Sequence, residues 1–317
     1  MKNLSVFVLF LFCLTFTLNG QVTTSGISGK VTAEGELLIG ATVQAVHEPS
    51  GTTYGTVTNA DGRYSLQGMR TGGPYTVEVS YVGFQKAVYK NITLQLGETY
   101  LLDVKLTESL SLDEVVVTAS KAALFNSQKT GAAQNFNQSQ IQATPSVSRS
   151  IFDVTKMNPL GVNTASGMSF AGSSNKYNSF QIDGITNNDV FGLSSSGTNG
   201  GQAGANPISL EAIEEIQVVI APYDVRQGGF TGGGINAITK SGTNTFHGSA
   251  YWYYNNENFY GKTPGKDAKE RKKLGDQSSA TYGFTLGGPI VKDKLFFFAN
   301  SLISPWFAAL LMSGAGA

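Results

Sequence analysis

The stretch Asp113-Glu114-Val115-Val116-Val117-Thr118-Ala119 decides how the rest of the chain is read. An acidic lead enters a β-branched run that ends small and polar, and Val115 to Thr118 favour extended backbone. The segment lies between a β-rich stretch (26–107) and a Gly/Asn/Ser-rich stretch (about 121–242), with no partner strand nearby in sequence. An unpaired strand of this kind can dock on another protein's sheet edge by strand addition, with main-chain hydrogen bonds supplying the affinity.

Working back from it, residues 26–107 are short strands separated by turns. Ile27 to Thr32 alternates, and Glu34-Gly35-Glu36 turns. Ala41 to Val46 alternates again and Pro49-Ser50-Gly51 breaks it. Asn59-Ala60-Asp61-Gly62 is a strong turn cluster, with Asn59 and Asp61 in turn roles rather than as calcium ligands, since no third carboxylate follows. Tyr64 to Leu66, Tyr75 to Tyr81, Ile92 to Leu96 and Tyr100 to Leu106 complete a pattern that predicts a small β-sandwich with no helix.

Working forward, the character changes. Ser148 to Met157 predicts a short helix with Ile151, Val154 and Met157 on one side. Ser179 to Ile182 and Ile185 onward are two strands about a tight Asp183-Gly184 turn. Pro207 to Ile216 predicts a second short helix, capped by Ser209, and Gln217 to Ile220 a strand. From Thr243, Phe246, Gly248, Ala250, Trp252 and Tyr254 share one parity, and Tyr282, Phe284 and Leu286 do the same. Amphipathic strands with aromatic ends suit a transmembrane β-barrel. A long polar loop (261–277) is expected to join them and a shorter turn (287–294) to lead into Leu295-Phe296-Phe297-Phe298; with the preceding segment ending on the periplasmic side, the loop is extracellular and the turn periplasmic.

Composition agrees. Of 317 residues 38 are Gly, 14% are charged and 11% aromatic, against about 25% charged in ordinary globular domains. The 22 basic and 22 acidic residues leave no global field for nucleic acid. Lys2 followed by an apolar run from Leu4 to Leu18 is expected to be a signal peptide (1–20), cut near Gly20. At ~1.5 Å per residue such a run spans ~22 Å, short of a ~30 Å hydrocarbon core. Cys13 lies inside that run, so the mature chain holds no disulfide or thiolate metal site.

Catalytic chemistry is sparse. His47 and His247 lack ligand spacing and are expected to be strand surface residues. There is no nucleophile elbow, and the Gly-rich run at 228–234 lacks the Lys-Ser/Thr of a phosphate loop. Lys266, Lys269, Arg271, Lys272 and Lys273 make a basic loop diluted by Asp267 and Glu270. Asp183, Asn187, Asn188 and Asp189 are expected in turn and cap roles, with binding of an ion or a substrate hydroxyl as the alternative. No catalytic residue, cofactor or metal is expected.

Three sets of residues then resemble known families. Gly29-Lys30-Val31, Leu38 to Val43, Thr58 to Leu66 and Tyr81-Val82-Gly83-Phe84 together resemble the carboxypeptidase-regulatory-like domain, a transthyretin-like sandwich. Asp113 to Ala119 resembles the TonB box of TonB-dependent outer-membrane receptors. Pro145 to Val162, Ile182-Asp183-Gly184-Ile185, Ile213 to Val218 and Gly232 to Gly242 resemble their plug domain. Asn187-Asn188-Asp189 and Ala221-Pro222-Tyr223-Asp224 lean toward the Oar-like subgroup of the Bacteroidetes receptors.

The resemblance implies a mainly β chain: signal peptide 1–20, sandwich 26–107, TonB box 112–120, an α+β plug 121–242, first barrel strands 243–300 and an atypical tail 301–317. It implies uptake of an extracellular ligand across the outer membrane. Asp113, Glu114, Val115, Val116, Val117, Thr118 and Ala119 would be gripped by the periplasmic C-terminal domain of TonB. Outer-membrane lipid is the other partner, the N-terminal domain faces the periplasm, and the chain is not an enzyme. The alternative is an exported carbohydrate- or protein-binding adhesion module. A barrel of about 22 strands of ~10 residues needs ~220 residues, whereas 75 follow Gly242. The chain is therefore expected to be a truncated receptor, not transport-competent by itself.

Overall fold

The computed structural model describes residues 22–108, 115–118, 132–146, 149–164, 167–194, 196–201, 206–222, 227–263, 272–273, 275–276 and 278–303. The expected signal peptide lies outside them. So do Asp113, Glu114 and Ala119, Lys266, Lys269 and Arg271 of the basic loop, and the tail from 304.

The N-terminal part is a sandwich of two sheets. In one, β1 (Ser25–Ala33) is central, pairing antiparallel with β2 (Glu36–Leu37) and β5 (Arg63–Met69) and parallel with β8 (Thr99–Leu101) and β9 (Val104–Leu106). The other runs β10 (Val115–Thr118), β7 (Ala87–Leu94), β6 (Gly72–Ser80), β3 (Thr42–His47), β4 (Thr52–Val57). The expected alternation sets the core: Ile27, Val31, Val43, Ala45, Tyr64, Leu66, Val77 and Val79 all face inward. The Asn59 turn is built as its residues demand. Asn59 Oδ1 accepts from the N–H groups of Asp61 (3.0 Å) and Arg63 (2.9 Å), and Gly62 supplies the positive φ.

Two expectations fail here. Val115–Thr118 is a strand but not a partnerless one: it lies parallel to β7, with Val115 opposite Ala87 and Thr118 opposite Lys90. Its register partners lie 28 residues upstream (Val115 to Ala87), beyond the reach of hairpin logic. His47 is buried rather than on a strand surface. It stacks on Tyr75, ring centroids 4.8 Å apart, and its Nδ1 lies 2.6 Å from Ser50 Oγ.

The middle part is a five-stranded sheet in the order β11 (Ala132–Asn137), β16 (Ile213–Ile220), β17 (Gly233–Thr239), β14 (Ser179–Ile182), β15 (Ile185–Thr186). The short hairpin β12 (Gly161–Thr164) and β13 (Gly167–Phe170) packs beside it. Helix α1 (Gln138–Ala143) starts at Asn137 with a capping box to Gln140. Helix α2 (Ile151–Thr155) is capped by Ser150 and buries Ile151 and Val154, as the spacing predicts. The core gathers Phe136, Ile151, Phe170, Ile216, Val218 and Ile235.

The helix expected over 207–216 is not formed. Only Leu210–Ala212 makes a 3₁₀ turn, capped by Ser209, and Ile213 already begins β16. A register shift between Ile213 and Glu215 places Ile213 and Ile216 on one buried face three residues apart. That bulge imitates helical spacing within a strand. Pairing with β11 on one side and β17 on the other then overrides local propensity.

The C-terminal part is an antiparallel meander, β18 (His247–Asn256), β19 (Ser278–Val291) and β20 (Leu295–Ile303). The turn expected over 287–294 is tighter, because β19 runs on past Pro289 with a register shift to Val291. β20 continues to Ile303, past the boundary at 300 expected between the barrel strands and the tail. Among the described residues no helix is long and apolar enough to cross a membrane, which has no bearing on strands.

Candidate functional site

Val115–Thr118 is the outermost strand of the sandwich's second sheet. β7 is fixed on its other side by β6, through Val79 opposite Ala87, Glu78 opposite Val88 and Val77 opposite Tyr89. Ala87 faces the core with Tyr89 packed against it, and Val88, on the opposite face, is also buried. β10 is thus added to a rigid, packed strand. Among the described residues its own outer edge carries no further strand.

The turn that holds Leu96 joins the sandwich to the middle sheet. Leu96 is fully buried. Its N–H donates to both carboxyl oxygens of Glu215, 3.1 Å each. Its carbonyl accepts from Gln217 Nε2 (2.5 Å) and Asn135 Nδ2 (3.1 Å). Nearby, the Val22 carbonyl accepts from Asn236 Nδ2 at 2.7 Å. These polar residues come from β11, β16 and β17 and share the face turned away from the apolar core. Burial, first, and the neighbouring Glu214 and Glu98 push the Glu215 carboxyl up to about 8, against the Leu96 and Asn135 hydrogen bonds.

The signal for this junction was in the sequence. Glu215 and Gln217 stand two apart in a strand that is apolar apart from them and Glu214, and polar side chains on a covered face need partners. The helical reading of 213–216 concealed that parity.

The candidate ligand residues do not converge. Asp183 sits at positive φ in the turn between β14 and β15. Its carboxylate accepts from the Thr239 N–H and hydroxyl, 2.8 Å each, tying the turn to β17. Asn188 Oδ1 accepts from Phe180 N–H at 2.7 Å, and Asn187 Oδ1 from Asn199 Nδ2 at 2.8 Å. Asp189 accepts from the N–H groups of Ser194 (2.5 Å) and Phe191 (3.1 Å). Those backbone donors, Ser194 first, hold its carboxyl below the usual range. Asp183 ties its turn to β17 and the other three hold the loop that follows, and among the described residues no three acidic, His or Cys side chains are grouped for a metal.

The meander shows two unlike faces. Trp252 lies opposite Tyr282, Ala250 opposite Phe284 and Gly248 opposite Leu286, and Trp252, Tyr282, Phe284 and Leu286 are exposed. The other face looks at the middle sheet. Tyr251 Oη lies 3.0 Å from Ser209 Oγ, and the Arg149 guanidinium lies 5.1 Å over the Tyr253 ring. Arg149 also pairs with Glu211. Burial opposes ionising Glu211, but hydrogen bonds from Ser209 and Arg149 outweigh it and hold its carboxyl low. A cleft of roughly 680 Å³ between the three parts is lined by mixed charges, among them Arg70, Glu214 and Lys240.

An aromatic outward face, a polar inward face and a sheet packed against the latter are the arrangement of a plug inside an outer-membrane barrel. Three family models match in that order: a carboxypeptidase regulatory-like domain at 26–107, a TonB-dependent receptor plug domain at 114–235 and an outer membrane beta barrel domain at 238–302. The TonB-dependent transporter Oar of Myxococcus xanthus is 31% identical over 264 residues, 77% of this chain and 23% of that protein. The TonB-dependent receptor P26 of Formosa agariphila is 34% identical over 131 residues, 40% of this chain and 12% of that protein. The probable TonB-dependent siderophore receptor PirA of Acinetobacter baumannii is 39% identical over 94 residues, 29% and 11% respectively. The chain belongs to the TonB-dependent receptors and carries their N-terminal domain series. It spans less than a quarter of the length of each of these curated relatives. The relatives are named as transporters and receptors, not enzymes.

Proposed function

We propose that the chain is the N-terminal portion of a receptor for energy-coupled uptake of an extracellular ligand across the outer membrane. In this reading it is exported by a signal peptide cut near Gly20 and faces the periplasm with its sandwich. Asp113, Glu114, Val115, Val116, Val117, Thr118 and Ala119 are the segment that the periplasmic C-terminal domain of TonB takes up as an added strand. The observation that carries this is the placement of Val115–Thr118: an extended β-branched strand at a sheet periphery, between a folded sandwich and a plug. Pulling on such a strand acts on the plug through the chain that follows it. The four turn-forming residues Asp183, Asn187, Asn188 and Asp189 serve as scaffold in this reading, shaping the plug surface rather than binding an ion.

The test is binding of the purified TonB C-terminal domain to the chain and to its Val116→Pro form. Proline removes a ladder N–H and blocks pairing. Saturable binding that Val116→Pro abolishes is expected, with the chain in the outer-membrane fraction. Binding that survives Val116→Pro, or a chain recovered as soluble periplasmic protein, would refute the assignment; the second result favours the adhesion module.

A further inference from the structure

We propose that the seam between sandwich and plug binds one monovalent cation, held by side-chain amide oxygens on the covered face of the plug sheet.

Four amides stand side by side across four strands of that sheet. Asn135 of β11 is the register partner of Gln217 of β16, Gln217 is that of Asn236 of β17, and Asn236 is that of Gln181 of β14. The alternate residues Phe136, Ile216, Ile235 and Phe180 go to the apolar core, so the amide row lies on the opposite face. Two of its members are almost wholly buried, Gln217 at 2% exposure and Asn236 at 8%.

The sandwich fixes which way these amides point. Gln217 Nε2 and Asn135 Nδ2 both donate to the Leu96 carbonyl, and Asn236 Nδ2 donates to the Val22 carbonyl. Turning any of them over would set oxygen against oxygen. Their own oxygens, Asn135 Oδ1, Gln217 Oε1 and Asn236 Oδ1, are thereby buried without a hydrogen-bond donor. Docking has used the donors of the row and left its acceptors, an unfavourable state that a positively charged guest relieves.

Gln217 and Asn236 line one small cavity of roughly 20 Å³, together with Gln181 and Val22. That is room for a single guest the size of a water molecule. Its lining residues include no carboxylate, histidine or cysteine. Neutral oxygens of this kind suit an alkali cation; zinc or copper would want imidazole or thiolate, and calcium sites add carboxylates. The local charge favours a cation over neutral water. Glu215 lies two residues along the same face, and the charged neighbours that act most on it, Glu214 and Glu98, are both acidic. A cation at this place compensates the oxygens of the very amides whose N–H groups hold the sandwich, so it tightens the seat of the sandwich on the plug.

The test is thermal unfolding of the full chain in sodium, potassium or choline chloride at one ionic strength. Sodium or potassium should raise the midpoint saturably above its value in choline, by roughly 2 °C at a tenfold excess over the dissociation constant. Asn236→Leu removes one oxygen ligand and should abolish that ion-specific rise. Asn135→Leu is the control. It removes a comparable bond to the Leu96 carbonyl outside the cavity, so stability should fall while the rise persists. A parent chain with one midpoint in all three salts overturns the site and leaves an ordered water as its guest. A rise retained in Asn236→Leu overturns it too, because the ion then binds elsewhere, and so does a rise lost equally in Asn135→Leu. Should Asn236→Leu fail to fold, the parent chain itself decides. The alkali-metal NMR line of the ion that raises the midpoint should broaden with the folded chain and sharpen when the other alkali ion is added in excess. An unbroadened line overturns the proposal.

Discussion

Glu215 of the plug sheet receives the N–H of Leu96 of the sandwich on both carboxyl oxygens, at 3.1 Å, in a contact where both residues are buried. The carboxyl is pushed up to about 8 by its burial. A raised acid pKa means that the folded, docked state holds a proton which the separated state releases. Stability is therefore full below about pH 4.5 and is lost as pH rises toward 8. A tenfold difference in proton affinity between the two states is worth about 1.4 kcal/mol, so the effect is of order several kcal/mol. Glu215→Gln keeps an acceptor for Leu96 and removes the charge. Above pH 6.5, where His47 is neutral in both states, the midpoint of thermal unfolding should fall toward pH 8 in the parent chain and fall less in Glu215→Gln. A parent chain with a flat profile contradicts this account.

The turn beside Leu96 tests the same contact by sterics. Gly97 has φ +71°, and a Cβ there would lie 3.1 Å from both Gln217 Nε2 and Val22 Cγ1. Gly83 has φ +87° and open space around it. Alanine at either position carries a left-handed strain of about 1 to 2 kcal/mol. Only Gly97→Ala also presses on the plug. Urea denaturation should show a greater loss for Gly97→Ala than for Gly83→Ala, and proteolysis between residues 108 and 132 should quicken only in the former. Equal effects would mean that the sandwich is not seated on Gln217.

Most of the strand pattern was legible because alternation is local. Ile27, Val43, Val77 and Trp252 each announce a face two residues at a time, and the Asn59 and Asp183 turns are written in residue types that favour them. What escaped was non-local. The partner of Val115–Thr118 is chosen by a crossover to a sheet edge, which no window of sequence contains. The bulge at Glu214 made β16 look helical, and with that parity lost the polar pair Glu215 and Gln217 could not be recognised as a docking face. His47 looked like a surface residue because its partners, Ser50 and Tyr75, meet only in the folded sheet.

Asp183 separates the scaffold reading of the plug turn from a ligand reading. Its carboxylate accepts from the N–H and the hydroxyl of Thr239 at 2.8 Å. The site is exposed, so the net worth of these bonds is about 1 kcal/mol. Asp183→Ala should lower urea stability by about that amount, and addition of millimolar calcium to the parent chain should not move its midpoint. A calcium-dependent rise that disappears in Asp183→Ala would restore the ligand role.

His47 gives the sandwich a pH dependence opposite in sign to that of Glu215. Burial, first, and the nearby Arg70 lower it to about 4, against the pull of Glu48. The folded sandwich thus keeps the ring neutral, with Nδ1 against Ser50 Oγ at 2.6 Å and the ring face against Tyr75. A depressed histidine contributes stability that is whole above about pH 6.5 and is lost as pH falls toward 4. Over that window the loss is of order 3 kcal/mol at most. Acid should therefore loosen the sandwich while it tightens the Glu215 contact, so the two can be separated by following each part in one titration. Amide exchange of β3 and β6 should speed up from pH 6.5 to 4 once corrected for intrinsic rates, while residues 95–97 gain protection. His47→Gln keeps a side-chain polar group beside Ser50 without a titrating ring. It should abolish the acid sensitivity of β3 and β6 and leave that of 95–97 untouched. If His47→Gln left the β3 and β6 profile unchanged, the acid response would belong to other groups and the neutral, buried ring would have no part in it.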